Sequence, residues 1–178
     1  AMRGGFLQLS RELEVDIAIQ ADDVFRRTRR LVCFDMDSTL VQTEMIDELA
    51  DAAGVGPAVA DITRRAMAGE LDFEQSFRER VGLLKGLDTT VMADIAQRMP
   101  LTEGAERLVR TLKSLGYTVA ILSGGFNFFA ERLRDRLDID YVYANELPSR
   151  DGRLTGEVSQ PIVDGARKAE LLRQIAGA

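Results

Sequence analysis

The chain contains no histidine and no tryptophan, one cysteine and four prolines in 178 residues. Without histidine there is no Ser-His or Cys-His triad, and the usual zinc sites are excluded with them. The one cysteine, Cys33, lies inside an apolar run and reads as a small buried hydrophobe, not a nucleophile. No apolar run approaches ~18 residues, so no membrane span is indicated. The amino terminus lacks a charged segment followed by an apolar core, and a cytoplasmic location is the expectation. Any chemistry must use carboxylates, hydroxyls, lysine, arginine and backbone groups.

Positive charge is also scarce. A net charge of −6 argues against a general nucleic-acid binder, because such proteins neutralise phosphates with clustered Lys and Arg. The cluster Arg26, Arg27, Arg29, Arg30 reads as a solvated linker in preference to a phosphate-binding patch. With 46% hydrophobic and 29% charged residues, the composition is that of an ordinary globular domain. Folding at this length buries about 70% of the chain's surface, so neither a disulfide nor a metal staple is needed. There is room for one domain and a small insertion, and no internal repeat or low-complexity tract is visible.

Against this background one stretch stands out. Leu31-Val32-Cys33-Phe34 is continuously apolar, as a parallel strand buried on both faces would be, and it leads into Asp35-Met36-Asp37-Ser38-Thr39. Open α/β sheets place their chemistry beyond the carboxyl ends of such strands. If the strand geometry continues, Asp35 and Asp37 share a face about 6.5 Å apart while Met36 points away. An EF-hand begun at Asp35 fails, because its sixth and twelfth positions are Leu40 and Ile46. A glycosidase pair normally comes from separate elements flanking the bond.

Along the rest of the chain the period changes with position. A short helix is expected over 6–13 and a half-buried strand over 15–19. From 44 to 100 the pattern is helical throughout: one helix stopped by Gly54, a second by Gly69, a third N-capped by Asp72 with Gln75 three residues on, and a fourth stopped by Pro100. The α/β alternation then resumes with a helix over 105–115, a buried strand over 117–122, and a helix from Phe126. A strand over 140–144 follows, then a hairpin turning at Asp151-Gly152, and a last helix N-capped by Asp164. The fold class is therefore α/β: a Rossmann-like parallel sheet core at 30–43 and 101–178, with an inserted four-helix cap at 44–100 and an N-terminal segment or linker at 1–29. Ser123-Gly124-Gly125 after the second strand offers a hydroxyl and backbone N–H groups to an anion, and Lys168 lies on the last helix.

This order, D-x-D-S-T after one strand, S-G-G after the next and a later helical lysine, resembles the first three motifs of the haloacid dehalogenase superfamily of phosphotransferases. Within it, the phosphoserine phosphatases are matched by F-D-M-D-S-T-L-V-x-x-E at 34–44, by L-D-F-E-Q-S-F-R-E-R-V-x-L-L-K-G at 71–86, by T-E-G-A at 102–105 and by L-S-G-G-F at 122–126. The N-terminal residues look like the segment that joins a regulatory domain to the catalytic one in bacterial members.

The resemblance implies a two-step hydrolysis of O-phospho-L-serine. Asp35 is the nucleophile that forms an aspartyl phosphate, and Asp37 is the general acid and then base. Ser123, Gly124 and Lys168 bind phosphate. Glu44 receives the substrate ammonium and Arg80 its carboxylate, while Met67 and Phe73 close an apolar lid. Mg²⁺ is the implied cofactor, held by the Asp35 side chain and the Asp37 backbone carbonyl. A homodimer is compatible with the family. One element of its pattern is missing: no G-D-G-x-N-D motif follows the lysine helix. The chain is therefore expected to be part of a longer enzyme, impaired on its own in Mg²⁺ binding and turnover. The rival readings are a non-catalytic binding fragment and a relative acting on another phosphorylated metabolite.

Overall fold

The computed structural model describes residues 9–177 except 11, 16 and 18–28. The expected helix over 6–13 is seen in part, at residues 9–10 and 12–13, and the expected strand over 15–19 lies largely outside the described residues.

Three parallel strands form the sheet in the order β1 (Leu31–Phe34), β2 (Thr118–Phe126), β3 (Tyr141–Asn145). Leu31 pairs with Thr118 and Phe34 with Ile121, so β1 and β2 start level and β2 runs on past the end of β1. Between β1 and β2 run α1 (Met45–Ala52), α2 (Gly56–Met67), α3 (Phe73–Gly82), α4 (Thr90–Arg98) and α5 (Ala105–Ser114). The crossover from β2 to β3 is α6 (Asn127–Leu137). A short hairpin, β4 (Ser149–Arg150) and β5 (Arg153–Leu154), precedes α7 (Gly165–Ala176).

Strand β2 owes its central place to its alternation. Val119 and Ile121 join the main hydrophobic cluster, whereas Leu122 points to the other side, where it packs with Val163 and Leu171 beside Cys33 and Ile175. Helices thus cover both faces, the arrangement a parallel sheet requires. Cys33 is only half-buried, and burial pushes its thiol pKa up, as befits an inert side chain. All four β1 residues are half-buried, not fully buried as their apolar run suggests, because among the described residues β1 pairs only with β2.

The helix boundaries follow local chemistry. Asp72 and Gln75 form a reciprocal capping box at the start of α3, and Asp164 accepts from the Arg167 N–H to cap α7. The chain enters and leaves the segment of α1–α4 through one paired junction. Val41 bridges Leu101, Gln42 N–H donates to the Pro100 carbonyl, and Thr102 N–H donates to the Leu40 carbonyl. One hydrophobic cluster runs without interruption from Leu49, Val59, Phe77 and Ile95 to Val109, Ile121 and Phe129.

The hairpin is tied to the turn after α3. Gly86 N–H donates to the Leu154 carbonyl and Leu154 N–H to the Leu87 carbonyl. Its arms are shorter than the sequence suggests, since Glu146, Leu147 and residues 155–158 lie outside the ladder. Arg30 donates to the Leu115 carbonyl and stacks over the Tyr117 ring, so this member of the basic cluster braces the sheet; Arg26 and Arg27 lie outside the described residues. Among the described residues, no helix is long and apolar enough to cross a membrane.

Candidate active site

The strand stops at Phe34, and the two aspartates do not continue it. Met36–Leu40 coils into a tight helical turn whose interior is broken at Asp37 (φ −63°, ψ 137°) and Ser38 (φ 52°, ψ 16°). Met36 is driven into the core with 0% exposure, and this turn swings both carboxylates toward the same cleft. They converge, as expected, but through a loop with a left-handed serine and not through the two-residue repeat of a strand.

Each carboxylate has fixed partners. Asp35 accepts from the Met36 N–H at 2.8 Å through Oδ1, and its Oδ2 lies 2.5 Å from Lys168 Nζ. Asp37 Oδ1 accepts from the Met45 N–H at 3.0 Å, at the N-terminus of α1, where the helix dipole favours a negative group. Burial pushes the Asp37 pKa up from 3.8 to about 7; the Met45 N–H opposes this, and the charges of Glu44 and Asp35 add to it. The largest cause is thus desolvation, ahead of the neighbouring carboxylates. A carboxyl of this kind exchanges a proton near neutral pH.

A cleft of about 200 Å³ opens over this pair. Its floor is Asp35, Asp37, Lys168, Gly124 and Gly125; its far side is Glu44, Ile46 and Arg80; and Phe73, Phe77 and Phe126 form its apolar wall. The rings stack in series, Phe73 on Phe77 at 5.6 Å and Phe77 on Phe126 at 5.8 Å. This stack ties α3 to the end of β2. Glu44 is held by a 2.6 Å hydrogen bond from the Ser38 hydroxyl. Arg80 is half-buried, its Nε donating to the Ser76 carbonyl at 3.3 Å, and burial lowers its pKa while Asp47 and Glu44 raise it.

Glycine is required where the floor is tightest. A Cβ at Gly125 would overlap Asp37 Oδ2 and stand 2.8 Å from Met36 Cε, and one at Gly124 would stand 3.2 Å from the Phe73 ring. Both glycines are counted within β2, in a stretch where the pairing with β3 slips between Leu122 and Phe126. They do not form the turn opening α6 that the sequence suggests.

Residues 32–178 match the sequence model of the haloacid dehalogenase-like hydrolases. The chain belongs to this family. A phosphoserine phosphatase of Archaeoglobus fulgidus is 50% identical over 172 residues, covering 95% of this chain and 50% of the relative. One of Methanocaldococcus jannaschii is 45% identical, covering 84% of this chain and 71% of the relative. A solved phospho-aspartyl intermediate analogue of phosphoserine phosphatase superposes with a TM-score of 0.78 at 45% identity, covering 84% of this chain and 71% of that one. The chain spans about half the length of several of the curated relatives it matches, such as those of A. fulgidus and Streptomyces coelicolor (40%).

In this haloacid dehalogenase-like hydrolase, Asp35, Asp37, Glu44, Phe73, Arg80, Gly124 and Lys168 all line one cleft. Two of the expected site residues do not. Ser123 has 0% exposure and lies behind the floor, its Oγ accepting from the Gly125 N–H at 2.9 Å. Met67, at the end of α2, is 85% exposed and lines a neighbouring depression with Asp47, Asp51 and Thr63. Gly125, read from sequence as part of the anion-binding Ser123-Gly124-Gly125 stretch, lines the cleft; Ile46, Phe77 and Phe126 line it too and are not candidate site residues by sequence. Phe77 could have been, since it stands one helical turn after Phe73 and faces the same way.

Proposed function

We propose that this cleft hydrolyses O-phospho-L-serine to L-serine and phosphate through a phosphoryl group carried on Asp35. The observation that carries the reading is the Asp35–Lys168 pair beside a half-buried Asp37 whose pKa is pushed up to about 7, in a cleft that also presents Glu44 and Arg80. Asp35 attacks phosphorus in line, splitting one difficult hydrolysis into two easier steps. Asp37, protonated near neutral pH, gives its proton to the departing serine oxygen and then accepts one from the attacking water. Gly124 and Lys168 bind the phosphoryl oxygens, and the Lys168 ammonium offsets their charge. Ser123 contributes from behind, through its hydrogen bond with Gly125.

The donor set suits a hard cation. It offers carboxylate and carbonyl oxygens, and among the described residues no group of three or more His, Cys, Asp or Glu side chains is placed to hold a metal ion without added ligands. Mg²⁺ fits such a site, because it keeps several waters and is commonly held by one or two carboxylates plus substrate phosphate. The Asp35 side chain and the Asp37 backbone carbonyl would hold it. When bound it would neutralise part of the crowded negative charge and polarise the phosphoryl group.

Substrate choice rests on two charges at the far side of the cleft. The Glu44 carboxylate, oriented by Ser38, receives the ammonium, and the Arg80 guanidinium receives the carboxylate. Phe73 covers the apolar side, with Met67 reaching the cleft on closure. The cap over 44–100, a cytoplasmic setting in the last step of serine biosynthesis, and a homodimer belong to the same reading.

Phosphate release from L-phosphoserine, measured against a panel of other phosphate esters with and without Mg²⁺, tests it. The expected result is a Mg²⁺-dependent preference for phosphoserine, slow in this chain alone because it lacks the G-D-G-x-N-D motif, that is abolished in Asp35→Asn. Equal rates across the panel would remove the substrate assignment, and full activity in Asp35→Asn would remove the mechanism.

A further inference from the structure

Asn145 is the last residue of β3, and only 1% of its surface is exposed. It does not line the cleft, yet its carboxamide joins the two segments that form the floor. Nδ2 donates to the Gly124 carbonyl at 2.9 Å, and Oδ1 accepts from the Val163 N–H at 2.8 Å. The partners fix the orientation of the amide, since a carbonyl can only accept and an N–H can only donate.

Each partner is one step from a group that faces the proposed phosphate. Gly124 lies on the floor itself. Val163 immediately precedes Asp164, the N-cap of α7, and the Lys168 N–H donates to the Asp164 carbonyl at 2.9 Å in the first turn of that helix. Lys168 then reaches Asp35. The two segments also touch directly, because a Cβ at Gly124 would stand 3.6 Å from the Val163 carbonyl oxygen. Gly124 comes from β2 and Lys168 from α7, and one buried side chain spans the gap between them.

We propose that Asn145 is a positioning residue for anion binding: its carboxamide sets the separation between the Gly124 backbone and the α7 N-terminus that carries Lys168. The inference rests on the reading of the cleft as a phosphoryl site. The residue type follows from the geometry. Aspartate has the same shape and keeps an acceptor for the Val163 N–H, but when ionised it turns an oxygen toward the Gly124 carbonyl. Leucine leaves both backbone groups without a partner in a buried place.

Titration calorimetry of inorganic phosphate into the 178-residue chain in excess Mg²⁺ tests the proposal. It is run on wild type, Asn145→Asp and Asn145→Leu at a temperature where circular dichroism shows each to be folded. Loss of a group that orients a binding residue typically costs about tenfold to a hundredfold in affinity, and that weakening is expected in both variants. A residue that only supported the fold would lower the melting temperature and leave the phosphate affinity of the folded protein unchanged. Wild-type affinity in the folded variants therefore overturns the inference. If the leucine variant does not fold, Asn145→Asp alone decides, because it conserves shape and one of the two hydrogen bonds. Absence of phosphate binding by wild type would overturn the reading of the cleft, and the proposal with it.

Discussion

The proton on Asp37 makes a prediction about stability that needs no turnover. Burial raises this carboxyl from 3.8 to about 7 while less than about a third of the residue reaches solvent, so the folded chain holds the proton more tightly than the unfolded chain does. At ~1.4 kcal/mol per pH unit, the difference is worth about 4 kcal/mol. The sign follows from linkage. Below about pH 4 both states are protonated and the contribution is fully present; it is lost as pH rises through about 7, where the folded state must bury a charge.

Asp37→Asn keeps the size of the side chain and removes the titration. Urea unfolding across this window, in chelator so that no cation stabilises the carboxylate, should show wild type losing about 4 kcal/mol relative to the variant between roughly pH 4 and pH 8. Other groups titrate alike in both proteins and cancel. A wild-type-minus-variant difference that stays constant across the window would refute the claim that Asp37 is desolvated enough to serve as a general acid.

Two further predictions concern the walls of the cleft. Phe77 is 3% exposed and stacked between Phe73 and Phe126, so Phe77→Ala should cost about 3–5 kcal/mol in chemical denaturation. Phe73, 43% exposed, should cost about 1–2 kcal/mol and show its effect mainly in KM. Gly125→Ala must displace Asp37, and a misplacement of about 1 Å near the chemistry costs on the order of a hundredfold in kcat. Gly82→Ala, with no atom within 4 Å of the added Cβ, should leave steady-state kinetics unchanged.

What could be read from sequence was what local chemistry dictates. Asp72 with Gln75, Asp164, and the Asp151-Gly152 turn act on their own neighbours within a few residues, so their roles survive any tertiary arrangement. Asp35 and Asp37 were recognisable as a pair, but their geometry was not. The left-handed conformation of Ser38 and the burial of Met36 turn the chain out of the strand, and neither is a periodic signal. Ser123 and Met67 show the same limit from the other side. Spacing places a hydroxyl at a strand end and a methionine at a helix end, whereas the packing of Gly125 over Ser123 and the outward face of α2 decide where those atoms go. Asn145 carried no signal at all, because its partners at Gly124 and Val163 are brought to it only by the fold.

The central claim is that Asp35 carries the phosphoryl group between two half-reactions. Rapid acid quench of the enzyme with L-phosphoserine and Mg²⁺, followed by peptide mass spectrometry, measures it directly. The account predicts a phosphoryl group on the peptide containing Asp35, present during turnover and absent in Asp35→Asn. Phosphate release from L-phosphoserine with no phosphorylated Asp35 at any quench time would contradict it.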